Sequence, residues 1–379
     1  MISQVWRVNL VTMLFFTMIQ VVVPLIPRYA LTVSASPFLI GLAVSAISIT
    51  AIFLRPISGF LSDSWARSKL MALGLAFGSA AYLVLFLSAD IYQIMIGRIL
   101  EGAGVALFVP SSMASAVDQA PEGKVGETLG WRSLMIGLGF TIGPALGGLL
   151  AEAFGYTTTF GITSVLILFL LPLVFYREPR KERAAFSVSF RGLLERHFVV
   201  AFVSFVVYAI AWMGLLTFLS AYLKIIGYGD LQIGLFVSIQ AVSSLALRIF
   251  AGRAADKNPA LMTYVGLFLI SFAFLLIALN QEAIQLYIDA VIFGLGIGIF
   301  VPGSQTLALA HAHAGSRGFL SSIYTMGMDV GNMVGPLMFG AVIQASGSYP
   351  DSFLIAPVLT FAAALVVLVP ERMGRLKDN

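Results

Sequence analysis

The stretch LRPISGFLSD, residues 54–63, returns in outline as LRIFAGRAAD, residues 247–256. Each copy reads L-R-x-x-x-G-x-x-x-D, and the copies are offset by 193 residues. The shared positions are Arg55, Gly59 and Asp63 in the first copy and Arg248, Gly252 and Asp256 in the second. Self-similarity at a fixed offset indicates that one part of a chain is a diverged copy of another.

The repeat extends well beyond these ten residues. Upstream, Tyr29 and Ser45 return as Tyr222 and Ser238 at the same offset. Downstream the offset is 192, and the matched pairs include Gly104 with Gly296, Phe108 with Phe300, Pro110 with Pro302, Gly139 with Gly331, Gly143 with Gly335, and Pro144 with Pro336. In a membrane chain, two such halves usually flank a central substrate path, which indicates a transporter.

The composition is that of a membrane protein, with 59% hydrophobic and 11% charged residues. A helix of about 20 apolar residues crosses the hydrocarbon core of a bilayer. Twelve runs of that kind are present, at about 8–30, 38–61, 70–88, 91–112, 128–150, 157–176, 198–222, 231–251, 260–279, 285–309, 318–343 and 352–369. We therefore predict an all-α membrane protein with 12 transmembrane helices in two pseudo-symmetric six-helix halves, 1–176 and 197–379, joined by a cytoplasmic linker over 177–196.

The basic residues predict the orientation. Of the 22 lysines and arginines, Arg28 and Lys224 fall at one membrane face, Arg98 falls inside a helix, and the others lie on or near the opposite face. The positive-inside rule makes that opposite face, with both termini, cytoplasmic. We expect a monomer in the inner (plasma) membrane of a bacterium, and no nucleic-acid binding, because topology accounts for the basic excess. The absence of cysteine excludes disulfides and thiolate metal sites.

The loop after the second run carries a family resemblance. Residues 59–69, GFLSDSWARSK, resemble the signature G-x-L-a-D-r-x-G-r-k of the major facilitator superfamily. Gly59, Asp63 and Arg67 match, whereas Ser64 and Ala66 depart from it. The resemblance implies a twelve-helix carrier with a cytoplasmic latch, whose gating residues would be Gly59, Asp63, Arg67, Arg55, Gly252, Asp256 and Arg248. An ordinary charged turn is the alternative.

The fifth run contains GFTIGPALGG, residues 139–148. A Gly-Pro step bends a helix, and small residues let helices pack closely. The string resembles the signature of the exporting, proton-antiport branch of the superfamily, through Gly139, Gly143, Pro144, Gly147 and Gly148. A packing kink without a role in direction is the alternative.

The fourth run contains RILEGAG, residues 98–104, which resembles the family pattern R-x-x-q-G-x-g with Glu101 in place of glutamine. Charged side chains within a membrane helix are energetically costly unless they face a partner or a watery cavity. The spacing of Arg98 and Glu101 lets them interact on one helix face. A carboxyl group in a low-dielectric cavity takes up a proton closer to neutral pH, as a proton-coupled carrier needs. A structural pair that never titrates is the alternative.

Two further acids, Asp289 and Asp329, lie within predicted helices. We rank Glu101 first as proton carrier, Asp329 second and Asp289 third; for each aspartate, a hydrogen bond to a neighbouring helix is the alternative. The resemblance places Arg98, Glu101 and Asp289 across from one another in the cavity. Many drug antiporters of the family carry an acid in the first helix, whereas this chain has none there; Gln20 is a candidate cavity residue, and coupling would run through other helices.

The candidate substrate-binding residues combine the charged pair with aromatic side chains. They are Arg98, Glu101, Gln20, Tyr208, Trp212, Phe108 and Phe300, with Phe218 as a further aromatic; lipid or core packing is the alternative for each aromatic. His311 and His313 are a weak metal signal, because no third ligand is near. No phosphate-binding loop or H-E-x-x-H motif occurs, so we expect neither an enzyme nor a cofactor.

These features together predict a proton-coupled exporter of small molecules, most simply amphipathic drugs or toxic compounds, that works by alternating access. Two alternatives stay open. The cargo could be one anionic or zwitterionic metabolite, such as a chelator or a sugar, with Arg98 as its counter-ion. The chain could instead be a sensor that keeps a carrier fold without transporting.

Overall fold

The structure is a computed structural model that describes residues 4–121, 124–175, 191–280, 282–310 and 317–375. The regular secondary structure of these residues is helical throughout. They contain 12 helices that are long and apolar enough to cross a membrane, which confirms the predicted fold class. Most of the predicted linker, residues 177–190, and both His311 and His313 lie outside the described part.

The membrane helices are numbered here in chain order. They are α1 Gln4–Thr32, α2 Pro37–Ser64, α3 Arg67–Leu87, α4 Ile91–Asp118, α5 Val125–Phe154, α6 Tyr156–Val174, α7 Arg196–Ile225, α8 Asp230–Ala255, α9 Pro259–Leu279, α10 Ala283–Leu309, α11 Arg317–Ser346 and α12 Ile355–Arg375. A single 3-10 turn, Val23–Leu25, interrupts α1 at Pro24. The short helix Tyr349–Phe353 precedes α12.

Several helices run further than the apolar runs indicated, among them α2 and α4. α2 continues to Ser64, so the first motif starts within a helix, and only Trp65 and Ala66 separate α2 from α3. α4 continues to Asp118 and not to residue 112. Hydropathy marks the part of a helix within the hydrocarbon core, whereas the backbone hydrogen bonds continue into the polar interface.

The chain forms two compact units. Unit 1 comprises Met1–Arg183 together with Ser220–Ser238, and unit 2 comprises Ala184–Leu219 together with Ile239–Asn379. Unit 1 therefore includes the end of α7, the α7–α8 connection and the first turns of α8. The predicted halves, 1–176 and 197–379, are defined by the sequence repeat and remain a prediction.

Each unit repeats the helix contacts of the other. In unit 1 the hydroxyl of Ser79 on α3 lies 3.0 Å from the carbonyl oxygen of Ser164 on α6. In unit 2 the hydroxyl of Ser271, 192 residues later, donates to the carbonyl oxygen of Pro357 at 2.8 Å. Gly74 on α3 has no room for a side chain, because an added Cβ would lie 2.8 Å from the Cβ of Phe108 on α4. The sequence repeat is therefore also a repeat of tertiary contacts.

Candidate functional site

The charged pair of α4 lies inside unit 1. Arg98 and Glu101 are each about 1% exposed, and Nη1 of Arg98 donates to Oε2 of Glu101 in a short ion pair. The i,i+3 spacing on one helix face brings the two side chains together. The positive and negative charges compensate each other within one turn of helix.

Tyr82 of α3 completes this group, and the sequence analysis missed it. Its hydroxyl donates to Oε1 of Glu101 at 3.0 Å, so each carboxylate oxygen has a protein donor. In unit 2 the equivalent residues, 192 positions on, are Phe274 and Phe293, whose rings pack with centroids 4.7 Å apart. An apolar pair thus satisfies the same helix–helix contact. The polar group is not needed to build the fold, which marks it as a candidate functional site.

Asp289 of α10 is the second buried acid. It is fully buried, and Nε2 of Gln285, one turn earlier, donates to its Oδ1 at 2.8 Å. Its Oδ2 has no hydrogen-bond partner among the described residues. Because Asp289 belongs to unit 2, its expected position across a cavity from Arg98 and Glu101 stays a prediction. Asp329 is also buried, on α11, and its role stays a prediction.

The structure groups part of the expected aromatic wall in unit 2. The rings of Tyr208 and Trp212 stack along α7 with centroids 5.7 Å apart, and Tyr208 packs on Phe300 of α10 at 4.9 Å. Phe205 and Tyr324, which the sequence analysis did not select, extend this cluster at 4.4 Å from each other. Trp212 is only half-buried, and its Nε1 has no partner among the described residues.

Two of the predicted aromatics pack elsewhere. Phe108 lies in unit 1 against Phe15 of α1, with centroids 4.0 Å apart and both rings buried. Phe218 is buried near Tyr349, with centroids 6.3 Å apart. These contacts are those of core packing.

The glycine motif of α5 forms a close contact with α1. A Cβ added at Gly143 would lie 2.5 Å from the Cβ of Gln20, and one added at Gly139 would lie 3.0 Å from the Cβ of Phe16. Gln20 is therefore packed against α5, with about 9% of its surface exposed. Gly147 and Gly148 continue the stripe against the carbonyl oxygens of Val21 and Asp230, respectively.

The proline of this motif has a partner in α8. A proline inside a helix disturbs the backbone hydrogen bonds around it. The backbone N–H of Ala145, which follows Pro144, donates to the hydroxyl of Ser238 at 3.1 Å. Gly234 lies one turn earlier on α8, where an added Cβ would meet the carbonyl oxygen of Pro144. The start of α8 is thus packed against α5 at Pro144 inside unit 1.

A second charged group lies where α5 meets the start of α8, around Asp230. Oδ1 of Asp230 accepts from Nη1 of Arg28 at 2.7 Å and from the hydroxyl of Tyr156 at 2.9 Å. Oδ2 of Asp230 accepts from Nζ of Lys224 at 2.7 Å. From the sequence, Arg28 and Lys224 are assigned only to a membrane face. Their isolation on that face was the signal that could have identified an ion-paired group.

The predicted gating residues are described in part. Nε of Arg67 lies 2.6 Å from Oδ2 of Asp118, so the α2–α3 turn is tied to the end of α4. Asp256 follows α8 and is exposed, and a Cβ added at Gly252 would meet nothing within 4 Å in the described structure. Arg248 lies on α8. The side chains of Arg55 and Asp63, and the surroundings of Gly59, lie outside the described part.

Comparisons with known proteins agree with this architecture. The multi-drug resistance efflux pump PmrA of Streptococcus pneumoniae is 28% identical over 387 residues, covering 95% of this chain and 94% of its own. The multidrug resistance protein MdtG of Dickeya zeae is 30% identical over 329 residues, covering 83% and 80%.

Solved structures show the same fold. A bacterial homolog of the human lysosomal transporter Spinster, in an inward-facing and occupied conformation, superposes with a TM-score of 0.84 at 15% identity, over 97% of this chain and 96% of that one. The nucleoside transporter NupG superposes with a TM-score of 0.76 at 15% identity, over 97% and 98%. The family model of the Major Facilitator Superfamily matches residues 8–336. The chain is therefore a membrane transporter, not an enzyme, and belongs to the Major Facilitator Superfamily.

Proposed function

We propose that the protein exports small amphipathic molecules in exchange for protons, by alternating access. Two of its relatives are named as multidrug efflux or resistance proteins, which supports export as the direction and drugs as the cargo. Proton coupling is proposed because the carboxylate of Glu101 is buried inside a membrane helix, where it contacts Arg98 and Tyr82. Such a residue is costly to place in a membrane helix without a function.

Glu101 exchanges one proton in this mechanism. While it is ionised, its two oxygens accept from Arg98 and Tyr82. A proton taken up from outside neutralises the carboxylate, so its attraction to Arg98 is lost and the group rearranges. The rearrangement weakens cargo binding, and the cargo leaves outward. Release of the same proton to the cytoplasm restores the ion pair and resets the site.

The other proposed site residues support this exchange in two ways. Asp329 and Asp289 are further proton sites, and the unpartnered Oδ2 of Asp289 supports that role. Trp212 and Tyr208 form the aromatic part of the cargo site, because Trp212 is only half-buried and its Nε1 has no partner among the described residues. Gln20, Phe108 and Phe300, which the sequence indicated as cargo-binding residues, each pack against a neighbouring helix.

Closing of the cytoplasmic side is proposed for the repeated motif, with Gly59, Asp63, Arg67 and Arg55 in one copy and Gly252, Asp256 and Arg248 in the other. The Arg67–Asp118 pair supports this role, because it fixes the α2–α3 turn to α4. We propose that the protein lies in a bacterial inner membrane, with its basic face and both termini in the cytoplasm. We also propose that it acts as a monomer.

Cellular efflux tests the proposal. Wild type, Glu101→Gln and an empty vector are expressed in a bacterium that lacks its own drug pumps, and accumulation of several dyes and antibiotics is followed with and without a protonophore. Glu282→Gln is the matched control, because it makes the same change at an exposed acid. Wild type and Glu282→Gln should lower accumulation, and Glu101→Gln or the protonophore should abolish this effect. Efflux that persists in Glu101→Gln would exclude this residue from the coupling path.

A further inference from the structure

Arg132 of α5 is a buried cation with no acidic partner in the part of the chain that the structure describes. About 7% of its surface is exposed. Its Nη2 donates to the hydroxyl of Ser112 at 2.8 Å and to the carbonyl oxygen of Val109 at 3.3 Å, both on α4. Among the described residues, its Nε has no hydrogen-bond partner and no acid forms an ion pair with it.

Other buried arginines of unit 1 are compensated. Arg28 faces the carboxylate of Asp230, and Arg98 faces that of Glu101. A charged side chain in a membrane helix normally pairs with an opposite charge or faces a cavity. Arg132 therefore retains a positive charge and a donor that the described structure does not use.

The second unit shows that this charge is not needed for packing. Tyr324 of α11 occupies the position 192 residues after Arg132, and Ser304 occupies the position 192 residues after Ser112. The hydroxyl of Tyr324 donates to that of Ser304 at 2.9 Å, which reproduces the contact between Arg132 and Ser112. A neutral phenol thus makes the same helix–helix hydrogen bond, so the guanidinium of Arg132 supplies something additional.

We propose that Arg132 and Ser112 bind an oxyanion, either a carboxylate, a phosphate or a sulfonate, carried by the exported molecule. The planar guanidinium is the side chain best suited to such groups. The hydroxyl of Ser112 donates to the carbonyl oxygen of Val109 at 3.0 Å, and it would turn from there to donate to the oxyanion. This inference rests on the proposed export function and names its substrate class. Arg132, and not Arg98, is then the counter-ion for an anionic cargo, because Glu101 already compensates the charge of Arg98.

A lipid headgroup is the second source of the same chemistry. Trp131 precedes Arg132 and packs on Trp6 of α1 with ring centroids 5.1 Å apart, and both indoles are exposed. Exposed tryptophans are typical of the membrane interface, where lipid phosphates lie. The burial of Arg132 itself favours the cargo over the lipid.

The binding test uses the purified full-length protein in nanodiscs of zwitterionic lipid. Arg132→Tyr introduces the residue that the equivalent position already accommodates, and Arg253→Tyr makes the same change at an exposed arginine of α8. Thermal unfolding is measured in inorganic phosphate and in chloride at equal ionic strength. Phosphate should raise the unfolding temperature of wild type and of Arg253→Tyr but not of Arg132→Tyr. An equal response in all three proteins overturns the site.

Two further arms identify the source of the anion. In pump-deficient cells, Arg132→Tyr should reduce efflux of an anionic dye such as carboxyfluorescein by about tenfold relative to efflux of the cation ethidium. Retained ethidium efflux shows that the variant folds. The other arm compares nanodiscs with and without an anionic phospholipid. If that lipid stabilises wild type and Arg253→Tyr but not Arg132→Tyr, the oxyanion belongs to a lipid headgroup, and the cargo assignment is wrong.

The outcomes separate the two proposals. If wild type exports neither dye but phosphate stabilises it through Arg132, the export function is wrong and the oxyanion site stands. If wild type exports both dyes and Arg132→Tyr changes neither the dye preference nor the response to phosphate, export stands and the oxyanion site is wrong. Arg132→Gln, which removes the charge and keeps a donor, repeats both measurements with a smaller side chain.

Discussion

Arg28 of α1 and Asp230, the first residue of α8, form a buried ion pair of 2.7 Å across 202 positions of sequence. Arg28 is fully buried, and it also donates from Nη1 to the backbone carbonyl of Asp230 at 3.1 Å. Lys224 and Tyr156 bind the same carboxylate. One aspartate therefore ties the α7–α8 connection to α1 and α6 within unit 1.

Replacing Asp230 by Asn should destabilise the protein by about 3 kcal/mol, because Arg28 would be left as an uncompensated buried charge. Thermal unfolding in detergent measures the loss. Asp351→Asn is the matched control, since Asp351 is exposed, and it should change little.

The double variant Arg28→Met/Asp230→Asn separates pairing from burial. Because it removes the buried charge together with its partner, it should be more stable than Asp230→Asn alone. The single variant Arg28→Met completes the comparison. If the double variant loses as much stability as Asp230→Asn and Arg28→Met together, the ion pair does not stabilise this contact.

Replacing Tyr82 by Phe should lower efflux several-fold while leaving stability within about 1 kcal/mol of wild type. The reason is that Phe274 fills the equivalent position in unit 2, so the ring packs without its hydroxyl, whereas Glu101 loses one of its two donors. Efflux rate and unfolding temperature are measured on the same preparations, with Tyr264→Phe on α9 as the control.

The same change in a Glu101→Gln background tests whether Tyr82 acts through Glu101. Residues that act as one unit are non-additive. The hydroxyl should therefore have no further effect there, and an undiminished effect would mean that Tyr82 acts independently of the carboxylate.

The sequence was sufficient for the helices, the repeat and the Arg98–Glu101 contact, because each depends on local spacing or on apolar length. It was not sufficient for Tyr82, Asp230 or Arg132. Those contacts depend on how each helix is rotated, and periodicity does not show rotation when lipid-facing and protein-facing surfaces are both apolar. Comparing the halves position by position would have found two of them, since Tyr82 corresponds to Phe274 and Arg132 to Tyr324.

Gly143→Ala should destabilise the protein by about 1–3 kcal/mol, because the new methyl group would overlap the Cβ of Gln20 and the backbone of α1. Gly130→Ala is the control on the same helix, since an added Cβ there meets nothing within 4 Å in the described structure. It should be neutral or stabilising by up to about 1 kcal/mol, because alanine favours helix. Equal losses of unfolding temperature in both variants would contradict a close α1–α5 contact.

The proposed orientation is open to a direct test, because the chain has no cysteine that must first be removed. Ala89, between α3 and α4, and Lys257, between α8 and α9, are both exposed and lie at opposite ends of the membrane helices if the chain crosses twelve times. In intact cells whose outer membrane is permeable to it, a membrane-impermeant maleimide should label Ala89→Cys at once. It should label Lys257→Cys only after the inner membrane is opened, because the basic face is proposed to be cytoplasmic. Labelling in the reverse order would show that the orientation in the membrane is opposite to the proposed one. Glu101 would then have to take up its proton from the side on which the present mechanism releases it, so the direction of exchange would have to be reconsidered together with the orientation.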